Sequence, residues 1–382
     1  MRREKLGDIA RFSQGVQVAI DKQYSSVNNN SVRFLRIIDY TQNKDEIRYI
    51  DNPGEKYLVN DRDVVMIRYG DAGRVVRGYV GAIANNLFKI TVDENLIINE
   101  YLYYYLSQKI VYNRLINNQQ KTGLPAVNFK TVNEIICIFP EDIEIQKKIV
   151  NILDKAQELI NKRKEQIEAL DELVKSKFIE MFGDPVSNPM NWEKKKLADE
   201  CNIITGNTPS RKVEEYYGDY IEWIKSDNIT DAGVYLTTAR EYLSEEGLKV
   251  GRSIEKNSIL MTCIAGSIKC IGNVAIANRR VTFNQQINGI EPLKNNVFFM
   301  LQQFNLSQKY IQSTINMSLK GILSKGQLSE LEFIFPPIDK QNEFAEFFKQ
   351  VDKLKFELEK SLKELEDNFN SLMQRAFKGE LF

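Results

Sequence analysis

Towards the C-terminus apolar side chains return at a fixed interval of seven. Phe344, Val351, Leu358, Leu365 and Leu372 form one series; Phe348, Leu362, Phe369 and Ala376, with Lys355 among them, form a second. Two series offset by three or four positions fall on one stripe of an α-helix and are the d and a positions of a coiled-coil heptad. The same register lies 195 residues earlier, in Ile149, Ala156, Arg163, Leu170 and Lys177 and in Leu153, Ile160, Ile167, Val174 and Met181. The polar intruders Lys355, Arg163 and Lys177 read as register or edge features. Each stripe predicts a helix of about 36 residues, roughly 54 Å long. Two such helices bury their stripes most simply on each other, running antiparallel; the plainer alternative packs each on its own globular neighbour.

Ahead of each long helix the pattern changes to short β-type runs broken by glycine and asparagine. They fall at 32–38, 64–67 and 81–90 in the first half and at 220–224, 259–263 and 272–277 in the second. A helical segment follows in each half, at 99–117 and at 296–316. Exact echoes tie the halves together. Ile138-Phe139-Pro140 returns as Ile334-Phe335-Pro336, Leu106-Ser107-Gln108-Lys109 as Leu306-Ser307-Gln308-Lys309, and Lys5-Leu6 with Gly15 as Lys196-Leu197 with Gly206. Matches in one order with slightly drifting offsets are what duplication followed by loop insertion leaves. Gly183 and Pro185 stop the first helix. The predicted organisation is a first α/β domain at 1–140, a long helix at 141–182, a linker at 183–197, a second α/β domain at 198–336 and a second long helix at 337–382. The fold class is thus tandem α/β domains plus a coiled coil, with an internal pseudo-two-fold repeat.

Composition narrows the chemistry. The 382 residues exceed one core, and 43% hydrophobic with 27% charged residues describes a soluble globular chain. No apolar run suits a membrane span, so no membrane partner and a cytoplasmic location are expected. There is no histidine, which removes histidine-based acid–base and triad catalysis. Cys137, Cys201, Cys263 and Cys270 lack metal-site spacing and read as buried free thiols, with no metal and no cofactor expected. No phosphate-binding glycine loop or dinucleotide fingerprint occurs, and most acidic pairs lie on the long helices at spacings that suit exposed ion pairs. Nothing supports an active site. The net charge is zero, but residues 1–140 carry 19 Lys and Arg against 15 Asp and Glu, and 191–336 carry 17 against 16. The helical segments 141–190 and 337–382 are acidic, with 8 against 11 and 8 against 10. An anionic partner would therefore meet the globular parts.

Polar, cationic loops occupy matching places in the two halves. One holds Arg68, Tyr69, Arg74 and Arg77 around glycines, and its counterpart at 262–272 keeps a glycine and Lys269. A second holds Gln14 and Gln17, against Thr208, Ser210, Arg211 and Lys212. A third runs from Lys121 to Lys130, against Lys320 to Lys325. Arg279 and Arg280, followed by Asn284-Gln285-Gln286, add donors in the second half. Arginine forks suit guanine edges and phosphates, and amides and hydroxyls suit bases and phosphates. Each loop alone reads as solvated surface; their coincidence in both repeats reads as nucleic-acid contact. That the loops differ while the skeleton persists fits two readers of different sequences.

The chain resembles, along its whole length, the specificity subunit of type I restriction–modification systems. The resemblance is carried by Met181-Phe182-Gly183-Asp184-Pro185 with Asn191-Trp192 and Leu197, by Arg375-Ala376-Phe377-Lys378-Gly379-Glu380-Leu381, and by the spacings Pro140 to Gln146 and Pro336 to Gln341. It implies a non-catalytic protein whose two target-recognition domains, held apart by the antiparallel coiled coil, each read half of a bipartite double-stranded DNA target. It also implies that two methyltransferase subunits dock on the coiled coil and that restriction subunits join through them, supplying adenine methylation and ATP-dependent cleavage. The nearly neutral second domain departs from an evenly basic pattern. The alternatives are the specificity subunit of a related system with methyltransferase and nuclease fused in one partner, and a coiled-coil scaffold that binds protein or RNA.

Overall fold

The computed structural model describes residues 1–42, 46–117, 126–315 and 321–381. The chain divides into two compact units, Met1–Lys162 with Leu362–Phe382 and Arg163–Ser361. Among the described residues no helix is long and apolar enough to cross a membrane.

In the first unit, one antiparallel sheet has the order Ala10–Gln14, Leu87–Val92, Val64–Ile67, Val75–Val76. A second sheet has the order Arg48–Asp51, Ser31–Leu35, Gly81–Ile83, Leu58–Val59, and its central pair is parallel. Alternation along a strand sends successive side chains to opposite faces. Val65 and Ile67 accordingly meet Leu35 and Ile83 of the second sheet, while Val64 and Met66 join Tyr101, Leu102 and Leu153 on the helical side. Burial on both faces explains why this strand is apolar throughout.

The second unit repeats the plan. One sheet orders Cys201–Thr205, Ile287–Pro292, Ser258–Thr262, Val274–Ala277. The other orders Tyr217–Gly218, Tyr242–Leu243, Ile221–Ile224, Val281–Phe283, Ser253–Ile254, again with one parallel pair, Ile221–Ile224 with Val281–Phe283. Leu260 faces the sheet-side cluster with Ile224 and Phe283, and Ile259 and Met261 face the helical side with Phe299 and Phe344.

Several expected runs are shorter than their composition suggests. The strand expected over 32–38 stops at Leu35, because Asp39 accepts from the Arg36 amide and caps the helix Ile37–Thr41. The run 81–90 is two strands, Gly81–Ile83 and Leu87–Val92, with a turn between them. Both helical segments break at the repeated Ser-Gln: Asn99–Leu106 is followed by Lys109–Asn117, and Val297–Leu306 by Gln308–Ser313.

The long helices are continuous over Ile143–Phe182 and Ile338–Lys378, 40 and 41 residues. All twenty heptad positions are buried or partly buried. In the first unit Ile149, Val150 and Leu153 share a core with Met373, Ala376 and Phe377. There Ile149 lines one cavity with Ala376 and Gly379, and Gln157 lines another with Phe369 and Met373, so the segments run in opposite directions. In the second unit the Phe178 ring lies 5.3 Å from Phe344, while Asp171 accepts from Lys355 at 2.5 Å, which gives the same antiparallel sense. Lys355 thus keeps its stem in the stripe and carries its charge to the edge. Arg163 and Lys177 instead bond along their own helix, to Gln166 and Glu180. Both helices end in a left-handed glycine, Gly183 (φ 75°) and Gly379 (φ 76°).

Two buried glutamines join each globular part to its helix in the same way. The Ile98 amide donates to Gln146 Oε1 at 3.0 Å, and Gln146 Nε2 donates to the Leu96 and Pro140 carbonyls. The Asn296 amide donates to Gln341 Oε1 at 2.9 Å, and Gln341 Nε2 donates to Asn295 and to the Pro336 carbonyl.

Candidate nucleic-acid interface

In each unit, one end of the first sheet collects three loops through main-chain hydrogen bonds. In the first unit the Gly15 amide donates to Leu87, the Arg68 amide to Asn86 and the Val127 amide to Arg68. In the second the Gly206 amide donates to Ile287, the Cys263 amide to Gln286 and the Leu323 amide to Cys263. Arg68 and Cys263, Asn86 and Gln286, and Val127 and Leu323 are therefore equivalent positions. Gly15 and Gly206 are required by close approach: a Cβ on either would stand inside the backbone carbonyls of Ala84 or Asn284.

The first unit's sheet end carries Gln14, whose side-chain amide donates to the Asn85 carbonyl at 2.9 Å, and the exposed Gln17. Arg68 lies over the Tyr69 ring, 5.1 Å from its centroid, and 6.0 Å from that of Phe129. Among the described residues no carboxylate pairs with Arg68. Tyr69 is 40% exposed, and Lys130 is exposed one residue beyond Phe129. Arg74 lies in the same turn but is paired with Asp71 at 3.0 Å.

The second unit's sheet end carries Thr208, which bonds to Gln285, the exposed Ser210 and Lys212, and Arg211. Arg211 stacks 4.5 Å from the Tyr217 centroid and 5.2 Å from that of Trp223, and donates to Glu241 at 2.5 Å. Lys225 donates to the same Glu241. Both cations, Lys225 foremost, hold the Glu241 carboxyl below the ordinary glutamate range against a smaller opposing effect of burial. Lys269 is exposed in the turn between Cys263 and Gly272, and Lys325 is exposed at the start of the helix Lys325–Glu330. Lys121 and Lys320 lie outside the described residues.

Three arginines singled out from the sequence stand elsewhere. Arg77 points to the first long helix: it donates to Asp154 at 2.8 Å and stacks 4.6 Å from the Tyr103 centroid. Arg279 and Arg280 follow Ala277, which pairs with Ser258 at the opposite end of the strand from Thr262. The Arg279 guanidinium is spent on Glu222 and on the Leu236 and Thr237 carbonyls, and Arg280 pairs with Glu255 at 3.1 Å. Arg77 and Arg279 thus tie elements of their own unit together, while the Arg280 pair lies on the surface. Residue type and loop position alone could not separate them from the others, because the strand partners that aim them are distant in sequence.

Other residues at the sheet ends escaped notice. Arg36 and Lys225 occupy equivalent places, each preceding a short helix whose third residue accepts from its amide, and Ser226 bonds to Gln286. The signal was the cap pattern Arg-x-x-Asp and Lys-x-x-Asn after a β-run. Cys137, Cys201 and Cys263 are buried free thiols and Cys270 is partly exposed. Burial pushes the first three thiols up to about 12, so they are inert at neutral pH. Among the described residues no cluster of carboxylates and thiols could hold a metal ion.

Comparison with known proteins gives this arrangement its setting. The family model for the type I restriction modification DNA specificity domain matches twice, over residues 4–169 and 189–367. The specificity subunit of the type I restriction enzyme MjaVIII from Methanocaldococcus jannaschii is 22% identical over 404 residues, covering 99% of this chain and 92% of its own length. That of EcoBI from Escherichia coli is 24% identical over 399 residues, covering 94% and 82%. The crystal structure of the type I specificity subunit from M. genitalium shares the fold, with a TM-score of 0.58 at 14% identity, covering 98% of this chain and 96% of that one. With two copies of the recognition module spanning nearly its whole length, the chain belongs to the type I restriction–modification DNA specificity family.

Proposed function

We propose that each sheet end reads one half of a bipartite duplex target. The first uses Gln14, Gln17, Arg68, Tyr69 and Lys130, and the second uses Thr208, Ser210, Arg211, Lys212, Lys269 and Lys325, with Lys121 and Lys320 as flanking phosphate contacts. The observation that carries this reading is the convergence of three sequence-distant polar loops on the same end of the sheet in both units, through the same main-chain bonds. Amides, hydroxyls and arginine forks are the groups that distinguish base edges, and the lysines suit phosphates. Arg74, held by Asp71, contributes by positioning its turn.

On this reading 1–140 and 198–336 are the recognition domains, and the helices at 141–182 and 337–382, with the linker at 183–197, set the unread gap. Methyltransferase subunits, two in number, dock on the helices, and restriction subunits join through them. Adenine methylation and cleavage belong to those partners, in the cytoplasm where the DNA is. Exchange of residues 1–140 for another recognition domain tests the reading. Sequencing of methylated adenines in cells carrying the complete system should show one half-sequence replaced and the other retained; a change in both halves, or in neither, would refute it.

A further inference from the structure

We infer that Glu241 is a specificity-determining positioning residue, which makes Arg211 and Lys225 answer to the base pair and not to the phosphate backbone. The inference rests on the assignment of this sheet end to DNA.

The two units present their cations differently. Arg68 lies over two aromatic rings without a carboxylate partner among the described residues, and is open to any acceptor. Arg211 and Lys225 are both tied to Glu241, whose side chain is 35% exposed, beside a Trp223 ring that is itself 3% exposed. The main chain fixes this group. The Trp223 amide donates to the Glu241 carbonyl at 2.9 Å, Trp223 Nε1 donates to the Asn207 carbonyl at 3.2 Å, and the Tyr217 hydroxyl donates to the Pro209 carbonyl at 2.7 Å. The carboxylate is thus a built part of the surface.

Its electrostatic effect is selective. A duplex brought to this surface meets two cations already matched to an anion, so a phosphate gains little and is repelled by the carboxylate. A guanine edge offers Arg211 two acceptors and can draw it from Glu241, and the freed carboxylate can then accept from the amino group of a neighbouring cytosine or adenine. A base without the right acceptor leaves the pair closed and the carboxylate facing the backbone. Glu241 therefore penalises wrong bases more than it aids right ones.

The test compares Glu241→Gln, Glu241→Asp and Glu255→Gln in the complete restriction–modification complex. Glu255 pairs with Arg280 at the far end of the sheet, so its substitution adds the same charge away from the loops. Methylated-adenine sequencing should show Glu241→Gln accepting additional bases at one position or more of a single half-sequence, with methylation of single-mismatch sites raised about tenfold. Non-specific binding by the purified complex should tighten, with its salt slope steeper by about one. Glu241→Asp, which keeps the charge, should retain the discrimination, and Glu255→Gln should leave it intact. The inference is overturned if Glu241→Gln keeps the wild-type target, if Glu255→Gln relaxes it equally, or if Glu241→Asp relaxes it as far as Glu241→Gln does. If the wild-type complex methylates without sequence preference, the DNA reading itself has failed; that outcome is separate from any of these.

Discussion

Arg77 donates to Asp154 across 2.8 Å, from the end of a two-residue strand to the face of the first long helix. Tyr104 donates to the same carboxylate oxygen at 2.6 Å, and burial, reinforced by Asp154, raises its hydroxyl pKa well above the ordinary tyrosine range. Phe304 stands at the Tyr104 position of the second unit, inside an aromatic core with Phe333. At this position one unit holds its helix by a polar clamp, where the other places a phenylalanine ring. Replacement of Asp154 by Asn should cost the first unit about 1 kcal/mol, a small figure because the carboxylate is 46% exposed. Urea unfolding should show this as a lower midpoint that converges on wild type in high salt; an unchanged midpoint at low salt would remove the clamp.

The glutamine joints make a sharper prediction. Gln146 and Gln341 are 0% and 1% exposed, and each satisfies one buried or partly buried amide and two such acceptors. Gln146→Leu preserves bulk but leaves those groups unpaired, at a cost of about 1–3 kcal/mol for each abandoned group. Denaturant titration should show a large loss, and Gln341→Leu should lower stability to a similar extent. A loss below 1 kcal/mol in either variant would show that water replaces the glutamine.

Substitution of Gly206 by Ala should disorder the first loop of the second sheet end, because the added methyl has no room beside the Asn284 and Phe283 carbonyls. Overpacking of this kind costs about 1–3 kcal/mol. The matching readout is the methylation pattern, in which one half-sequence should lose definition while the other persists. Gly233→Ala, at a position with open space around it, is the control and should behave as wild type.

Acid should weaken the second unit through Glu222. Burial pushes its carboxyl pKa up, but the Arg279 hydrogen bonds and the Ala239 amide outweigh that and leave it below the ordinary glutamate value of 4.5. A depressed folded-state pKa gives stability that is fully present above the unfolded value and is lost as pH falls through the folded one. The stability difference between wild type and Glu222→Gln should therefore be largest near neutrality and shrink below pH 4.5. Curves that stay parallel from about pH 7 to pH 3 would dismiss the pair as a source of stability.

The architecture was legible in the sequence where it is periodic or repeated. The heptads gave both long helices and their buried stripe, and the echoes at Leu6, Gly15 and Gln146 mark positions whose hydrogen bonds recur in the second unit. Strand ends were less legible, since a cap such as Asp39 on Arg36 overrides a continuous β-type run. At the sheet ends the loops could be named, but not which side chains they present. Arg77 and Arg279 look like Arg68 in composition and differ only through distant carboxylates. Lys225 reaches the sheet end because its strand pairs in parallel with Val281–Phe283, a contact across nearly sixty residues that no local pattern reveals.

The loops at Arg68 and at Cys263 share the same main-chain donors and acceptors in both units, although one position holds a partly exposed guanidinium and the other a wholly buried thiol. Such an anchorage is indifferent to what the side chains are. Mutation can rewrite the chemical alphabet displayed there without loosening the frame that displays it, so a bacterium or archaeon bearing such a gene can acquire a new address on DNA at little risk to folding.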